Sequence, residues 1–328
     1  MTHKIYSAKG DARTLGELIG EGGQGAVYQL EDSPKIVVKL FHPARLEKDG
    51  ESLRQKIAAL AKYDKFWKEP GLAWPRMLVY DKEGKWIGYA MRKVSGVPLN
   101  RLAHPMLHRE YFPGLNRIKI VQMLLNLTAI VESLHQNDIY IGDLNMENVL
   151  CNPQTMSVHI IDNDSFQVKS DGRLYPCPVG RPEMTPPEHH NVDFTKIVRN
   201  ASSDVFSLAI LFFQCLMLGR HPFDNVGGES PAKNMKNGRF PYGTEGAAPG
   251  RDGAVPPGPW YTIWSHLTFQ MKTLFIAMFK EGIRNIHARP TLKEWQGVLR
   301  QYLYHMREGH HAIDLIPAKP KSQARVQS

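Results

Sequence analysis

The chain has 328 residues, of which 42% are hydrophobic and 22% are charged, as in globular proteins with one large domain or two lobes. The net charge of +9 favours acidic partners, but lysine and arginine are spread along the chain and give no clear nucleic-acid signature. The three cysteines show no disulfide or metal spacing, the N-terminus has no signal-peptide core, and no apolar run reaches ~20 residues. We therefore expect a cytoplasmic protein without a membrane partner.

A glycine cluster between apolar residues predicts a strand, a turn and a second strand near the start of the chain. Gly20, Gly22 and Gly25 have the spacing G-x-G-x-x-G and are followed by Val27. Glycines at this spacing let a backbone pack closely over phosphate oxygens, because no Cβ intrudes. A dinucleotide-binding fold would begin a helix at the last glycine, whereas a strand-forming sequence follows here. The pattern favours a phosphate-binding hairpin, and a plain glycine-rich hairpin is the alternative.

The next strand carries a lysine among apolar residues. Lys39 shares a face with Val37, because side chains alternate along a strand. A buried ammonium group needs an anionic partner, while a lysine that protects an edge strand from aggregation is the alternative. Residues 47–66 then predict a helix. Residues 77–91 predict two strands joined by a Lys-Glu-Gly turn, after which the chain leaves the sheet.

Polar side chains follow two short apolar strands in the middle of the chain. Asp143 and Asn148 lie on a loop that leads into a strand containing Leu150, and the next apolar run ends at Asp162. Phosphoryl transfer from a magnesium nucleotide uses such a set, in which one carboxylate orients the attacking hydroxyl and an amide with a second carboxylate holds the metal. A polar turn before a strand is the alternative when this motif is considered alone.

The remaining elements are mostly helical. Residues 118–135 and 205–218 predict core helices, and residues 267–279 and 291–306 predict two closing helices. Residues 224–259 are rich in glycine and proline and predict a long surface loop. The polar, basic segment that begins near residue 308 predicts a flexible tail.

In this order, the motifs resemble those of eukaryotic-like protein kinases over roughly residues 10–305. Pro187-Glu188 resembles the end of an activation segment, and Arg289-Pro-Thr resembles the late arginine motif of the same family. The resemblance implies an α+β, bilobal fold, with a β-rich N-lobe over residues 1–93, a mainly helical C-lobe over 94–307 and a flexible tail over 308–328. It also implies that Glu188 pairs with Arg289 and that Asp204 caps the catalytic-loop backbone.

The resemblance assigns a role to each candidate residue. Asp143 would orient the acceptor hydroxyl, Lys39 would hold the phosphates, and Asn148 and Asp162 would bind Mg²⁺. The ATP adenine would lie against apolar residues and at the backbone of a hinge, at Val27, Val37, Met91, Arg92, Val94 and Leu150. The resemblance therefore implies ATP and Mg²⁺ as cofactors and a serine or threonine of a protein as the acceptor.

The family's helix carboxylate, which pairs with the lysine, has no clear counterpart. Glu51 is the nearest candidate on the helix predicted over residues 47–66, but it is too close to Lys39 in sequence. Gln55 and Lys56 stand nearer to the expected position. Glu51 is thus the predicted partner of Lys39 with the weakest support.

Other departures affect regulation and chemistry. Ile141-Gly142 replaces His-Arg, so a phosphate on the activation segment would lack its usual receiver, and we expect activity without phosphorylation there. Asn145 replaces a lysine, and Arg181 replaces a threonine that bonds the catalytic aspartate. Asp162-Asn-Asp replaces Asp-Phe-Gly, which leaves the role of Asp164 open. The loop also resembles that of aminoglycoside and choline phosphotransferases, and a pseudokinase acting as a nucleotide-dependent binding module is a third hypothesis.

Overall fold

The computed structural model describes residues 4–243 and 254–318, so parts of the predicted surface loop and of the tail lie outside the described residues. A β-rich lobe precedes a mainly helical lobe, which confirms the α+β bilobal expectation. The strands are β1 (Lys4–Tyr6), β2 (Ala12–Gly22), β3 (Gly25–Leu30), β4 (Ser33–Phe41), β5 (Pro75–Tyr80), β6 (Trp86–Arg92), β7 (Val97–Pro98), β8 (Val149–Cys151), β9 (Val158–Ile160), β10 (Val168–Ser170) and β11 (Arg173–Tyr175). The helices are α1 (Pro43–Ala61), α2 (Asp64–Lys68), α3 (Leu99–Leu102), α4 (Leu107–Tyr111), α5 (Arg117–His135), α6 (Ala201–Leu216), α7 (Pro231–Lys236), α8 (Trp260–Ser265), α9 (Phe269–Ile276) and α10 (Leu292–Arg307).

The N-lobe strands form an antiparallel sheet that closes into a barrel in the order β1-β2-β3-β4-β6-β5. The β2–β3 hairpin confirms the predicted strand, turn and strand at the glycine cluster. Gly25 is required by packing, because a Cβ at this position would lie 2.2 Å from the carbonyl oxygen of Leu40. Lys39 on β4 is opposite Val27 on β3 and Tyr89 on β6. The sheet therefore fixes this lysine between two neighbouring strands.

Helix α1 begins at Pro43 and ends at Ala61, earlier at both ends than the predicted range of 47–66. Proline is favoured in a first helical turn, because the first N–H groups of a helix have no intrahelical partner. Leu53, Ile57 and Leu60 are buried on one face, and this face packs against β5 and β6. Helix α1 thus covers one side of the sheet and also contacts β10 of the C-lobe.

Two helices form the centre of the C-lobe. Helix α6 is buried almost all round, and it begins with a capping box in which Asn200 and Ser203 exchange side-chain and backbone hydrogen bonds. Helix α5 packs against both α6 and α10. Among the described helices, α5 is the one that is long and apolar enough to cross a membrane, and half of its most apolar stretch is buried inside the lobe.

The region predicted as a surface loop over residues 224–259 contains helix α7. Met235 is completely buried, and Phe240 and Tyr242 are nearly so. The Asn234 side chain donates hydrogen bonds to the carbonyl oxygens of Phe223 and Glu229, which ties α7 to the preceding turn. The prediction of a plain surface loop is therefore wrong for these residues, because their apolar side chains lack the periodicity by which a helix is recognised.

The chain beyond α10 returns to the C-lobe. Arg117 is 1% exposed and donates through Nε to the carbonyl oxygen of Asp314 at 2.8 Å and through Nη2 to that of Leu315 at 3.2 Å. Its backbone N–H donates to the carbonyl oxygen of Ile313 at 2.9 Å. The tail predicted to be flexible from residue 308 is therefore held at residues 313–315, while residues 319–328 lie outside the described part.

Candidate active site

A cleft of about 480 Å³ lies between the β2–β3 glycine hairpin and two C-lobe segments, the loop before β8 and the residues after β9. Its wall includes Lys39, Asp143 and Asp162, so the structure brings these three predicted site residues together. Gly20 and Gly22 also line the cleft, and a Cβ built on either would meet no atom within 4 Å. The hairpin thus leaves open space at the point where phosphate oxygens need a close backbone.

Lys39 is 6% exposed and lies between two carboxylates. Its Nζ is 3.1 Å from Oδ1 of Asp162 and 3.0 Å from Oδ1 of Asp164. Burial acts to lower the pKa of Lys39, but the charges of Asp164 and Asp162 outweigh it and raise the pKa above its usual value. The lysine is therefore a permanent cation at the back of the cleft.

Asp164 is the buried carboxylate of this cluster, with 3% exposure. Burial opposes its ionisation, yet the charge and hydrogen bonds of Lys39, together with the hydroxyl of Tyr89, hold its pKa below the usual value. Tyr89 donates to Oδ1 of Asp164 at 2.9 Å, and burial followed by the charge of Asp164 raises the pKa of the tyrosine. The sequence left the role of Asp164 open, and the structure places it as an ion-pair partner of Lys39.

Helix α1 does not supply that partner, so the prediction of Glu51 is wrong. Glu51 is exposed, and it accepts hydrogen bonds from Arg54 and Gln55, which lower its pKa to about 2. One turn later on the inner face, Lys56 donates to the carbonyl oxygens of Ser165 at 2.7 Å and Pro176 at 2.8 Å. The register of α1 therefore directs a lysine, and not a carboxylate, toward the segment that follows Asp162.

Asp143 lies on the loop before β8 and is held by two amides. Asn145 Nδ2 is 3.3 Å from its Oδ1, and Asn148 Nδ2 is 3.4 Å from its Oδ2 and 3.1 Å from its carbonyl oxygen. Burial raises the pKa of Asp143, while the Asn145 hydrogen bond and the charge of Arg181 act in the opposite direction. The carboxylate is therefore fixed in orientation, and its ionisation depends on its neighbours.

The catalytic loop is supported from the C-lobe by Asp204, as predicted. Its carboxylate accepts hydrogen bonds from the backbone N–H of Ile141 at 2.7 Å and of Gly142 at 2.9 Å. Its Oδ2 also lies 3.0 Å from Nε2 of His135 at the end of α5. Gly142 has φ +73°, and a Cβ there would lie 2.7 Å from Cβ of Cys177. Both the backbone conformation and the packing explain why no arginine stands at this position.

The structure provides oxygen ligands suited to Mg²⁺, which prefers carboxylate, carbonyl and water oxygens. The carbonyl oxygen of Asn148, at the start of β8, accepts a hydrogen bond from the N–H of Ile161, the residue before Asp162. The Asp162 side chain is about half exposed and lines the cleft. The Asn148 side chain is directed at Asp143 through Nδ2. Asp162 therefore presents a carboxylate suited to Mg²⁺, and Asn148 as a second ligand stays a prediction.

The predicted adenine contacts are distributed along neighbouring strands. Val37 and Met91 are opposite each other on β4 and β6 and are buried. The Arg92 guanidinium donates to the carbonyl oxygen of Trp67 and lies over its ring, so its side chain is engaged within the N-lobe. Of the residues predicted to contact adenine, Val27 lines the described cleft wall. The wall does not include the following predicted site residues: Val37, Met91, Arg92, Val94, Asn148 and Leu150.

The end of the activation segment is tied to the C-lobe by the predicted Glu188–Arg289 pair. Arg289 Nη1 and Nη2 donate to the two carboxylate oxygens of Glu188 at 2.6 and 2.8 Å. Arg289 Nε donates to the carbonyl oxygen of Gly282 at 2.8 Å, and its guanidinium lies over the ring of Phe206. This bidentate pair confirms the structural role that the sequence indicates.

Arg181, in the activation segment, pairs with Glu147 of the catalytic loop. The charge of Arg181 also acts on Asp143. This ion pair is partly exposed, with 42% exposure of the arginine and 54% of the glutamate. The sequence identified Arg181 as a departure from the family pattern, but it could not identify Glu147 as its partner.

Three known proteins that this chain resembles are all named as protein kinases. The chain is 30% identical over 307 residues to Protein kinase YegI of Escherichia coli strain K12, a match that covers 90% of this chain and 45% of the relative. It is 31% identical over 310 residues to the protein of the same name in Escherichia coli O157:H7, with 91% and 46% covered. Striated muscle preferentially expressed protein kinase of Danio rerio is 31% identical over 121 residues, which is 36% of this chain and 4% of that protein.

The chain spans about half the length of the two Escherichia coli relatives. The family profile described as protein kinase domain matches residues 13–294, which include the glycine hairpin, the catalytic loop and Arg289. The profile begins in β2 and ends in the first turn of α10, so it covers both lobes of the structure. The chain therefore belongs to the protein kinase family.

Proposed function

We propose that this chain transfers the γ-phosphoryl group of ATP, in a Mg²⁺-dependent reaction, to a serine or threonine hydroxyl of a protein. The observation that carries the proposal is the convergence of Lys39, Asp143 and Asp162 on one cleft beneath an open glycine hairpin. Phosphoryl transfer depends mainly on positioning and on electrostatic stabilisation of the transferring group. A cleft with a fixed cation at one end and a carboxylate at the other meets both requirements.

Each side chain has a defined task in this mechanism. Lys39 binds phosphate oxygens, and the glycine hairpin covers them and excludes water. Asp143, held by Asn145 and Asn148, accepts a hydrogen bond from the acceptor hydroxyl and orients it toward the phosphorus. Mg²⁺ bound by Asn148 and Asp162 would neutralise charge on the phosphates.

Side chains of the protein itself hold the activation segment in place. This supports the inference that activity does not require phosphorylation of that segment. Lys56 binds the carbonyl oxygens of Ser165 and Pro176, and the Tyr63 hydroxyl donates to the carbonyl oxygen of Lys169. The Glu188–Arg289 pair holds the far end. We therefore infer that the segment is ordered without a phosphate. A phosphate-binding arginine, which Gly142 replaces, is then not required.

The same observations weigh on the two rival functions. The Glu188–Arg289 pair belongs to an activation segment of the protein-kinase type, which the small-molecule phosphotransferases lack, so it favours a protein acceptor. Lys56 in place of a helix carboxylate favours a pseudokinase. However, Asp164 supplies Lys39 with a carboxylate from the other lobe, so the cation remains positioned for phosphate.

The test is incubation of the purified chain with Mg²⁺ and ATP labelled on the γ-phosphate, with and without casein. We expect label on the chain itself or on casein, on serine or threonine after acid hydrolysis, and none with excess EDTA. Label found only on small alcohols or aminoglycosides would favour the first rival, and nucleotide binding without transfer would favour the second. Enzyme treated with a phosphatase beforehand should be equally active, and enzyme that is inert until its activation segment is phosphorylated would contradict the inferred independence.

A further inference from the structure

The buried carboxylate that pairs with Lys39 of the N-lobe belongs to the C-lobe, and not to helix α1. Helix α1 directs Lys56 to the carbonyl oxygens of Ser165 and Pro176. Asp164, on the short turn after Asp162, pairs with Lys39. We propose that Asp164 is the positioning residue that aims Lys39 at the nucleotide phosphates, in place of any side chain of α1. This inference rests on the nucleotide-binding part of the proposed function.

The two carboxylates beside Lys39 differ in burial, and this difference suggests a division of tasks. The Asp162 side chain is 51% exposed and that of Asp164 is 3% exposed. Asp162 can therefore turn toward a ligand in the cleft without a large change in packing. If it does so, Asp164 still holds Lys39 through contacts of 3.0 and 3.1 Å, so the lysine keeps a partner while the phosphates bind.

Asp164 is largely engaged by protein donors. Its Oδ1 accepts hydrogen bonds from both Lys39 and Tyr89, and its Oδ2 accepts one from Lys39 at 3.1 Å. The donors are an ammonium and a hydroxyl, and both come from the N-lobe. Three of the roughly four acceptor positions of the carboxylate are therefore directed at protein donors, whereas Lys39 donates to Asp162 at Oδ1.

These contacts make Asp164 a link between the lobes. Lys39 lies on β4 and Tyr89 is directly opposite it on β6, so one C-lobe carboxylate joins two strands of the N-lobe sheet. Helix α1 reaches the same turn, because Lys56 donates to the carbonyl oxygen of Ser165, the residue after Asp164, and to that of Pro176. The position of Lys39 therefore depends on the C-lobe turn that carries Asp164, and α1 supports this turn through Lys56.

A double-mutant cycle on nucleotide binding tests this assignment. Affinity for ATP with Mg²⁺ is measured by calorimetry for the wild type, Asp164→Asn, Lys39→Met and the double variant. We expect Asp164→Asn to weaken binding by about 10- to 100-fold, the size typical of a residue that supports a ligand-binding group. In the Lys39→Met background the same change should have little further effect, because the residue that Asp164 positions is gone.

A rescue variant adds a readout that a merely structural residue would not give. Asp164→Glu keeps a carboxylate at the position that pairs with Lys39, and we expect it to retain a large part of the affinity that Asp164→Asn loses. Asp164→Gln has the same length but no charge, and it should not retain that affinity. Tyr89→Phe, which removes one hydrogen bond to Asp164 and keeps the ring, gives a milder loss that also disappears in the Lys39→Met background.

Several outcomes would overturn the proposal. An equal loss from Asp164→Asn with and without Lys39 would make Asp164 an independent ligand, and no loss at all would remove its role. Circular dichroism of each variant separates these outcomes from misfolding, and Tyr89→Phe decides the question if Asp164→Asn does not fold. A wild type that binds ATP but transfers no phosphate would defeat the proposed function alone, whereas a wild type that binds no nucleotide would defeat both.

Discussion

Two ion pairs connect distant parts of this chain, and they differ in construction and in burial. In the clamp, Arg289 and Glu188 meet in a bidentate pair inside the C-lobe, with the arginine 2% exposed and the glutamate 38% exposed. In the cleft, Lys39 and Asp164 meet across the two lobes, with 8% and 3% exposure. A planar guanidinium fixes its partner's geometry through two parallel hydrogen bonds, whereas an ammonium is a point charge that accepts several partners.

This difference separates the tasks of the two pairs. The clamp has one partner for each charge and supports the activation segment. The cleft pair shares its cation between Asp162 and Asp164, so the cation can exchange one carboxylate for phosphate. Loss of the clamp should therefore reduce stability, and changes in the cleft should reduce function.

The largest expected effect tests the functional side of this comparison. Asp143→Ala removes the carboxylate that orients the acceptor, so transfer should fall by about 10²–10⁴-fold, the range contributed by a general base. ATP affinity should stay close to that of the wild type, because the Asp143 side chain bonds to amides and not to Lys39. The rate of phosphoryl transfer to protein and the affinity for ATP are measured on the same preparation. Transfer at the wild-type rate would contradict the assignment of Asp143.

The next effect tests the clamp. Arg289→Ala leaves Glu188 and the carbonyl oxygen of Gly282 without their donor, and we expect the free energy of unfolding to fall by about 2–4 kcal/mol. Arg289→Lys should recover only part of this loss, because an ammonium cannot form the bidentate pair. Thermal and denaturant unfolding give the measurement, with the exposed Arg300→Ala on α10 as the control. Equal stability of the two alanine variants would show that the clamp contributes nothing.

A smaller effect concerns the catalytic loop, where Gly142 stands in place of the family's arginine. Gly142→Ala should destabilise the fold by about 2–3 kcal/mol, because it combines a strained positive φ with a clash against Cys177. Gly172 has φ +77° and no atom within 4 Å of the added Cβ, so Gly172→Ala should cost only about 1 kcal/mol. Similar losses for the two variants would mean that packing against Cys177 does not exclude larger residues.

The sequence predicts the clamp but not the cleft pair, and the reason is physical. Glu188 and Arg289 stand in motifs that resemble those of the kinase family, and the resemblance implies their pairing. The partner of Lys39 depends instead on the register of α1, which turns Glu51 outward and Lys56 inward. Both contacts join residues more than 100 positions apart, at 101 for the clamp and 125 for the cleft pair, but the family resemblance covers only the first. The second carboxylate in Asp162-Asn-Asp was the available signal, but it is equally compatible with a metal ligand.

The buried residues of α7 escaped prediction for a related reason. The segment 224–259 is rich in glycine and proline, which are typical of loops, and the helix inside it has only six residues. Met235 is buried because it packs against the C-lobe core, which is a tertiary effect. Local composition therefore predicted the connecting residues and missed the short element that they carry.

The smallest expected effect concerns ionisation in the cleft. Asp143 must be ionised to accept the hydrogen bond of an acceptor hydroxyl, and burial raises its pKa. Transfer should therefore rise with pH through this raised pKa and fall below it, at a higher pH than for an ordinary aspartate. The charge of Arg181 acts to lower the pKa of Asp143. Removing that charge in Arg181→Ala should move the acid limb of the pH–rate profile to higher pH.

The matched control is Glu147→Gln, because it removes the partner of Arg181 and keeps the cation. With the arginine charge retained, the acid limb should not move to higher pH. Arg181 is 42% exposed, so salt should screen its effect on Asp143, and the difference between Arg181→Ala and wild type should shrink at high ionic strength. An acid limb that stays in place in Arg181→Ala at low salt would show that Asp143 does not sense this cation. The pKa of Asp143 would then depend on burial, on the Asn145 hydrogen bond and on the charges of Asp162 and Arg199.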